Sequence, residues 1–160
     1  MIILGIDPGY GRTGYAVLRK RSPQRIDLLA YGCIETEKHV AHHLRLAQLE
    51  KAIRQLMTAH RPDLLAIEKL FFVKNVTTAL RVGEARGVIL ASAGKRKLPV
   101  VEFTPTEIKQ AVTGYGNASK TQIQKMVGRL FGLTKAITPD DAADAVAIAW
   151  AALHTNPRAL

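Results

Sequence analysis

The stretch Ile2-Ile3-Leu4-Gly5-Ile6-Asp7-Pro8-Gly9 opens the chain with an apolar run that a turn sequence ends. A short apolar segment bounded by Pro and Gly predicts a buried strand. The segment Leu64-Leu65-Ala66-Ile67-Glu68 has the same character, again with an acid as its last residue. If these two strands are neighbours, which a mixed sheet permits, Asp7 and Glu68 emerge side by side at one edge of the sheet.

The remaining segments predict a mixed sheet covered by helices. Gly14–Arg19 and Ile26–Ile34 are two further strand candidates, and three successive strands with short links favour an antiparallel meander. Another apolar segment, Pro99–Phe103, predicts a fifth strand. Periodicity and capping signals predict helices over Val40–Met57, Val76–Ala93, Thr106–Val112, Ser119–Phe131 and Asp141–Leu153. We therefore expect an α/β fold in which a five-stranded mixed β-sheet, an antiparallel meander plus parallel strands, is flanked by α-helices.

Length and composition narrow the class of protein. A chain of 160 residues that is 48% hydrophobic predicts a single domain over residues 1–160. One cysteine, Cys33, excludes an internal disulfide and fits a reducing compartment, so we expect a cytoplasmic protein. The N-terminus lacks the features of a signal peptide, and the apolar run Ala145–Leu153 is too short to span a bilayer. We therefore expect no membrane insertion.

The charge balance predicts an anionic partner. The chain carries 23 Lys and Arg against 13 Asp and Glu, a formal net charge of +10. An excess of this size favours nucleic acid over an anionic membrane surface, although charge alone identifies no chemistry.

Four acids fall where strand and helix ends meet. Asp7 and Glu68 end strands, and Asp141 and Asp144 lie three residues apart on one face of the last helix. Clustered carboxylates need a cation, and Mg²⁺ or Mn²⁺ supplies it to oxygen ligands. Two such ions about 4 Å apart support displacement at phosphorus, so the pattern indicates phosphodiester hydrolysis. Taken singly, each acid is equally explained as a turn residue, a surface charge or a partner of the helix dipole.

Four sequence blocks carry a family resemblance. They are Gly5–Gly9 with Thr13-Gly14, Ile67-Glu68 followed by Phe71 and Lys74-Asn75, Gly83–Gly87, and Asp141–Ala145. Together, in order, and over Met1 to about Ala152, they closely resemble the RuvC family of Holliday-junction resolvases. Actin-like ATP-binding proteins share a loop similar to the first block, but their fold needs two such domains and this chain has room for one.

The resemblance implies a ribonuclease H-like fold, a homodimer, and Mg²⁺-dependent symmetric nicking of four-way DNA junctions in recombination and repair. By position it makes Asp7, Glu68, Asp141 and Asp144 the catalytic, metal-binding acids, with two Mg²⁺ ions per subunit that Mn²⁺ can replace. Asp140 is a neighbouring acid that the family does not require. A branch-migration helicase complex is implied as a partner by the family alone.

The resemblance also indicates residues that contact DNA. Phe71 and Phe72 follow the fourth strand, where exposed rings would stack on unpaired bases, and the resemblance places a junction-probing aromatic at Phe71. The alternative for either ring is that it packs against the edge of the sheet instead of contacting DNA. Lys74 belongs to the same block, and Lys109 and Lys120 match basic positions near the scissile strand, with a solvated helix face as the alternative.

Small residues recur every four positions on the middle helix, at Ala79, Gly83, Gly87 and Ala91. Glycine within a helix costs about 1 kcal/mol relative to alanine, so this ridge indicates close packing. The partner is either a second copy of the chain or the chain's own sheet.

Two other functions compete with junction cleavage. A ribosomal-RNA-processing nuclease of the same fold shares the first loop, but the Phe71 and Asp141–Ala145 blocks fit it less well. A junction-binding scaffold without catalysis is the second alternative, and the intact acids count against it.

Overall fold

The computed structural model describes residues 1–70 and 76–154. In chain order the elements are β1 (Ile2–Asp7), β2 (Arg12–Ser22), β3 (Arg25–Glu35), α1 (His42–His60), β4 (Leu64–Glu68), α2 (Val76–Lys95), β5 (Val100–Phe103), α3 (Pro105–Thr113), α4 (Lys120–Leu130) and α5 (Asp140–His154). Three residues predicted to contact DNA, Phe71, Phe72 and Lys74, lie outside the described residues.

The five strands form one mixed sheet in the order β3-β2-β1-β4-β5. The first three strands pair antiparallel, and β1 with β4 and β4 with β5 pair parallel, which confirms the expected combination of a meander with parallel strands. The register of β1 on β4 places Ile6 opposite Ile67. Asp7 and Glu68 are the next residues of these two parallel strands, so they leave the sheet side by side, as predicted.

Successive side chains of a strand point to opposite faces, so the sheet has two buried faces. The first, which we call the α1/α2 face, carries Leu4, Ile6, Val17, Leu65 and Ile67 and is covered by Leu49, Ile53, Met57 and Ile89 of α1 and α2. The second, which we call the α5 face, carries Ile3, Ala16, Leu18, Ala66 and Val101 and is covered by α3, α4 and the alanines of α5.

Element boundaries differ from the expected ones in ways that the local contacts explain. The polar link predicted between the second and third strands shrinks to Pro23 and Gln24, because β2 and β3 continue to pair as far as Ser22 and Arg25. Arg21 and Asp27 form an ion pair across this extension. Near the end of α1, Arg61 adopts a left-handed conformation with φ 45° and donates its N–H to the Met57 carbonyl at 3.1 Å. The helix therefore runs three residues past Met57, the last residue of the apolar period, and ends before Arg61-Pro62-Asp63.

The predicted cap of α4 is confirmed. The Ser119 hydroxyl accepts from the Gln122 N–H, and the Gln122 side chain accepts from the Ser119 N–H, which forms a capping box. None of the helices among the described residues has the length and apolar character needed to cross a membrane.

Candidate active site

Strand pairing positions the first two acids. Asp7 ends the central strand β1, and Glu68 ends its parallel neighbour β4. Arg86 of α2 donates from Nε to the Glu68 carbonyl at 3.4 Å and pairs with Glu102 of β5. This arginine therefore ties the end of β4 to α2 and to the next strand.

Two glycines bring α5 onto the sheet. A Cβ atom built at Gly14 of β2 would lie 1.9 Å from the Asp141 carbonyl oxygen, and one built at Gly5 of β1 would lie 2.4 Å from the Ala145 carbonyl oxygen. Side chains at these positions would collide with the helix backbone, so α5 lies against the strands only because both residues are glycine. This contact places the first turn of α5 over the ends of β1 and β2.

The third acid, Asp141, lies in that first turn, and the fourth, Asp144, follows it three residues later. The negative charges of Glu68, Asp144 and Asp141 all raise the pKa of Asp7, in that order of strength. Glu68, Asp144 and Asp141 therefore lie near enough to Asp7 to affect its charge, although all three are distant from it in sequence.

Burial dominates the electrostatics of this cluster. Desolvation, followed by the neighbouring carboxylates, raises the pKa of Asp7 from 3.8 to about 7. Desolvation and the charge of Asp144 raise the pKa of Glu68, against the opposing charge of Lys109. Desolvation also raises the pKa of Asp144, although its hydrogen bond from Lys120 acts in the opposite direction.

Basic residues already pair with three acids of this region. The Lys120 ammonium lies 3.0 Å from Asp144 Oδ2 and 3.4 Å from Asp140 Oδ2. Arg12, in the first position of β2, lies 3.0 Å from Asp141 Oδ2. Gln124 donates from Nε2 to Asp140 Oδ1 at 3.0 Å, so the exposed Asp140 faces α4.

A pocket of about 210 Å³ opens beside the carboxylates. Glu68 and Asp144 line it together with Lys109 of α3 and Lys120 of α4, over an apolar floor that includes Ile108 and Ile148. Both lysines singled out in the sequence therefore lie at the acid cluster, and Lys120 is bound to acids instead of standing free on a helix face.

The described side chains do not by themselves form a metal-binding site. Across residues 1–70 and 76–154, no three His, Cys, Asp or Glu side chains are grouped closely enough to hold a metal ion. The pairing of Arg12 with Asp141 and of Lys120 with Asp144 occupies two of the carboxylates. A cation bound by all four acids would therefore compete with these two basic side chains.

Almost the whole chain matches the model of a known family. The model of the family described as crossover junction endodeoxyribonuclease RuvC matches residues 3–152. The chain belongs to the RuvC family.

Curated RuvC proteins support this membership at high identity. RuvC from Petrotoga mobilis is 53% identical over 158 residues, which cover 99% of this chain and 95% of the relative. RuvC from Thermosipho melanesiensis is 51% identical over 150 residues, which cover 94% of this chain and 95% of the relative.

A solved RuvC structure has the same fold. The T. thermophilus RuvC in complex with Holliday junction substrate aligns with a TM-score of 0.92 at 30% identity, covering 100% of this chain and 99% of that one. The ribonuclease H-like fold implied by the resemblance is thus confirmed.

Several residues that position the RuvC site were missed as such in the sequence. Gly5, Gly14 and Arg86 lie in the blocks that carry the resemblance, but their roles depend on contacts between distant elements. Arg12 gives no local signal, because a basic residue next to a turn is ordinary. Cys33 is partly buried against the core, and its Sγ lies 4.0 Å from Asp141 Oδ2.

Proposed function

We propose that this chain is a Mg²⁺-dependent endonuclease that resolves four-way DNA junctions by paired symmetric nicks, in DNA recombination and repair. The observation that carries the proposal is the convergence of Asp7, Glu68, Asp141 and Asp144 at one sheet edge of a RuvC-family chain. Junction DNA as the ligand is supported by the 30% identical RuvC whose structure contains a Holliday junction substrate.

The donor chemistry of the four carboxylates suits divalent metal. Asp7 is partly buried and has its pKa raised to about 7, so its ionised form lacks a sufficient counter-charge in the protein alone. Oxygen donors of this kind prefer Mg²⁺ or Mn²⁺. Asp7, Glu68, Asp141 and Asp144 would hold two Mg²⁺ ions, with Mn²⁺ as a substitute. When bound, such a pair activates the attacking water and stabilises the leaving 3′ oxygen.

The basic side chains around the pocket would hold the DNA strand. Lys109 and Lys120 line the same pocket as Glu68 and Asp144, so their ammonium groups face the place where a phosphate would enter. Lys120 reaches this place from its contact with Asp144, and Arg12 orients Asp141 from the opposite side. Contact of the junction with Phe71, Phe72 and Lys74 stays a prediction.

A homodimer would supply two such sites in two-fold symmetry, which suits paired nicks. Leu80 of α2 is 61% exposed, and Gly87 and Ala91 are also exposed on the same side of the helix. A Cβ built at Gly87 meets no atom within 4 Å. This ridge therefore faces away from its own sheet, which favours the second copy as its partner. A branch-migration helicase complex stays a prediction.

The proposed dimer interface is tested by adding a side chain to the ridge of small residues on α2. We expect Gly87→Glu to halve the mass measured by analytical ultracentrifugation, because the open position tolerates a side chain in the monomer but not in an interface. Gly128→Glu is the matched control, since Gly128 lies on α4, away from the α2 ridge, and also has open space. Two variants with the same mass as the wild type would contradict this interface.

The activity is tested by nicking assays on three substrates of equal length. We expect the chain, with Mg²⁺, to introduce symmetric nicks into a synthetic four-way junction, to leave a linear duplex intact, and to be inactive when EDTA replaces Mg²⁺. Preferential cutting of a structured RNA would favour the ribosomal-RNA-processing alternative. Tight junction binding without nicking in either Mg²⁺ or Mn²⁺ would favour the scaffold.

A further inference from the structure

An open groove runs along the outer side of α4, beyond the cleavage pocket. It measures about 430 Å³ and lies between α4 and the chain segment 132–136 that follows it. Lys125, Arg129 and Lys135 line it, with the polar side chains of Thr121 and Gln124 at the end nearest the cleavage pocket. We call this feature the α4 groove.

The three cations of the α4 groove are not neutralised. Lys125, Arg129 and Lys135 are exposed, and no carboxylate of the described chain lies within ion-pair distance of them. The nearby Asp140 is already held by Lys120 and Gln124. The groove therefore carries a concentrated positive charge and lacks an acid along its lining.

Gly128 keeps the α4 groove open. It lies in the last turn of α4, where glycine costs about 0.5–1 kcal/mol relative to alanine, and a Cβ there would meet no atom within 4 Å. Packing within the described chain therefore does not require glycine at this position. A missing side chain at the base of a basic groove instead allows another molecule to approach the helix backbone.

The end of α4 forms the second wall. Gly132 has φ 60°, and the Leu133 N–H donates to the Gly128 carbonyl at 2.9 Å, which is the Schellman arrangement. This turn reverses the chain, so that Lys135 comes to line the same groove as Lys125 and Arg129. The basic side chains are thus held on a capped helix and a defined turn.

The α4 groove begins one helical turn from a residue that lines the cleavage pocket. Lys120 lines that pocket, and Gln124, one turn further along α4, lines the groove. A helix rises about 1.5 Å per residue, so Lys120 and Arg129 are separated by about 13 Å along the axis. Duplex DNA rises about 3.4 Å per base pair, and the basic track therefore spans about four base-pair steps from the pocket.

We propose that the α4 groove binds the sugar-phosphate backbone of a junction arm, about four base pairs from the point of cleavage. The inference rests on the proposed junction cleavage and adds a second contact site to it. Contact there would fix the angle at which an arm leaves the cleavage pocket. Since phosphates are alike in every sequence, the site would add affinity and orientation without sequence preference.

Charge removal in the α4 groove provides the first test. The groove variant is Lys125→Gln with Arg129→Gln and Lys135→Gln. Its matched control is Lys38→Gln with Lys51→Gln and Lys95→Gln. These substitutions remove the same charge from exposed positions just before α1, in α1 and in α2, respectively. Junction affinity is measured by fluorescence anisotropy in EDTA over a series of salt concentrations, and cleavage is measured with Mg²⁺ at saturating protein.

We expect the groove variant to bind the junction at least about 10-fold more weakly than the control variant. The slope of log K against log salt should fall by about 2 to 3, because each phosphate contact contributes about 0.9. The cleavage rate at saturating protein should stay within about two-fold of the wild type. Equal affinities and slopes for the two variants would overturn the proposal. An acidic protein surface would then be the favoured partner of the groove.

A second variant tests the space without changing charge. Gly128→Leu should weaken junction binding several-fold while leaving the unfolding temperature unchanged or higher, whereas Gly94→Leu should leave binding unchanged. Unaltered binding by Gly128→Leu would count against an occupant in the groove. If the wild-type chain does not cut junctions, the proposed function is overturned. If the wild type cuts junctions but the groove variants bind them normally, only the proposal for the α4 groove is overturned.

Discussion

The two faces of the sheet hold their helices by opposite means. On the α1/α2 face, large side chains such as Leu49, Ile53 and Met57 separate the helix backbones from the strands. On the α5 face, Gly5 and Gly14 let the backbone of α5 touch the strands, and alanines fill the remaining space. Interhelical and helix-sheet distances follow the size of the side chains at the contact, so α5 lies the closer of the two.

The two faces of the sheet therefore have different roles in the molecule. The close contact of α5 fixes Asp141 and Asp144 relative to Asp7, because a helix in contact with strand backbone has little freedom to shift. On the other face, the small residues of α2 point outward, and Gly87 is open to a second molecule. Glycine therefore positions the candidate catalytic groups on one face and exposes a candidate interface on the other.

The largest effect is expected from the acids of the α5 side. Asp7→Asn should reduce junction cleavage on the order of 10³-fold or more, because it would remove a proposed metal ligand whose stabilisation of the transition state would be worth several kcal/mol. Junction binding should stay within a few-fold of the wild type. The rate is measured in single-turnover cleavage, and the affinity by anisotropy.

Asp140→Asn is the matched control for that change. Asp140 is exposed and lies against Lys120 and Gln124, so its loss should cost less than about 10-fold in rate. Normal cleavage by Asp7→Asn would remove Asp7 from the catalytic set. A loss with Asp140→Asn as large as with Asp7→Asn would add Asp140 to that set.

The two faces should also respond differently to the same substitution. Gly14→Ala should lower the free energy of unfolding by about 3 kcal/mol and reduce cleavage, because its Cβ would lie 1.9 Å from the Asp141 carbonyl oxygen and push α5 away. Gly94→Ala on α2 meets open space and should change stability by less than about 1 kcal/mol. Denaturant unfolding measures both, and equal effects would contradict the difference between the faces.

The acid cluster also predicts a pH dependence for the stability of the metal-free protein. The pKa of Asp7 is about 7 in the folded chain and near 3.8 when unfolded, so the folded state binds more protons between these values. The free energy of unfolding should therefore decrease as pH rises from about 4 to 7, by about 1.4 kcal/mol for each unit of pKa difference that is realised.

Thermal unfolding in EDTA tests this dependence. Asp7→Asn should flatten the decrease, and part of it should persist because burial also raises the pKa of Glu68 and of Asp144. Addition of Mg²⁺ at pH 8 should raise the unfolding temperature of the wild type more than that of Asp7→Asn. Parallel pH curves for the two proteins would mean that Asp7 is not held at a raised pKa.

Strand and helix order was predictable from the sequence because it depends on local patterns. The apolar runs before Asp7 and Glu68 predicted two buried strands, and Ser119 with Gln122 predicted the start of α4. The four acids were selected because each lies at or near the end of an element. Strand pairing then placed Asp7 beside Glu68.

The contacts that hold the site were not predictable in the same way. The pairing of Arg12 with Asp141 joins residues that are distant in sequence, and neither shows a local pattern. The contact of Gly14 with α5 depends on the separation of a helix from a sheet, which a periodicity does not contain. The direction of the α2 ridge also needed the structure, since exposure of Gly87 and Ala91 excludes packing on the chain's own sheet.

The central position of β1 has a consequence for protein synthesis. β1 is the first strand made, and its antiparallel pairing with β2 needs only the next few residues, but Glu68 joins it later with β4. Asp141 and Asp144 follow only with α5, the last helix of the described chain. A nascent chain that stops before α5 therefore lacks half of the acid cluster.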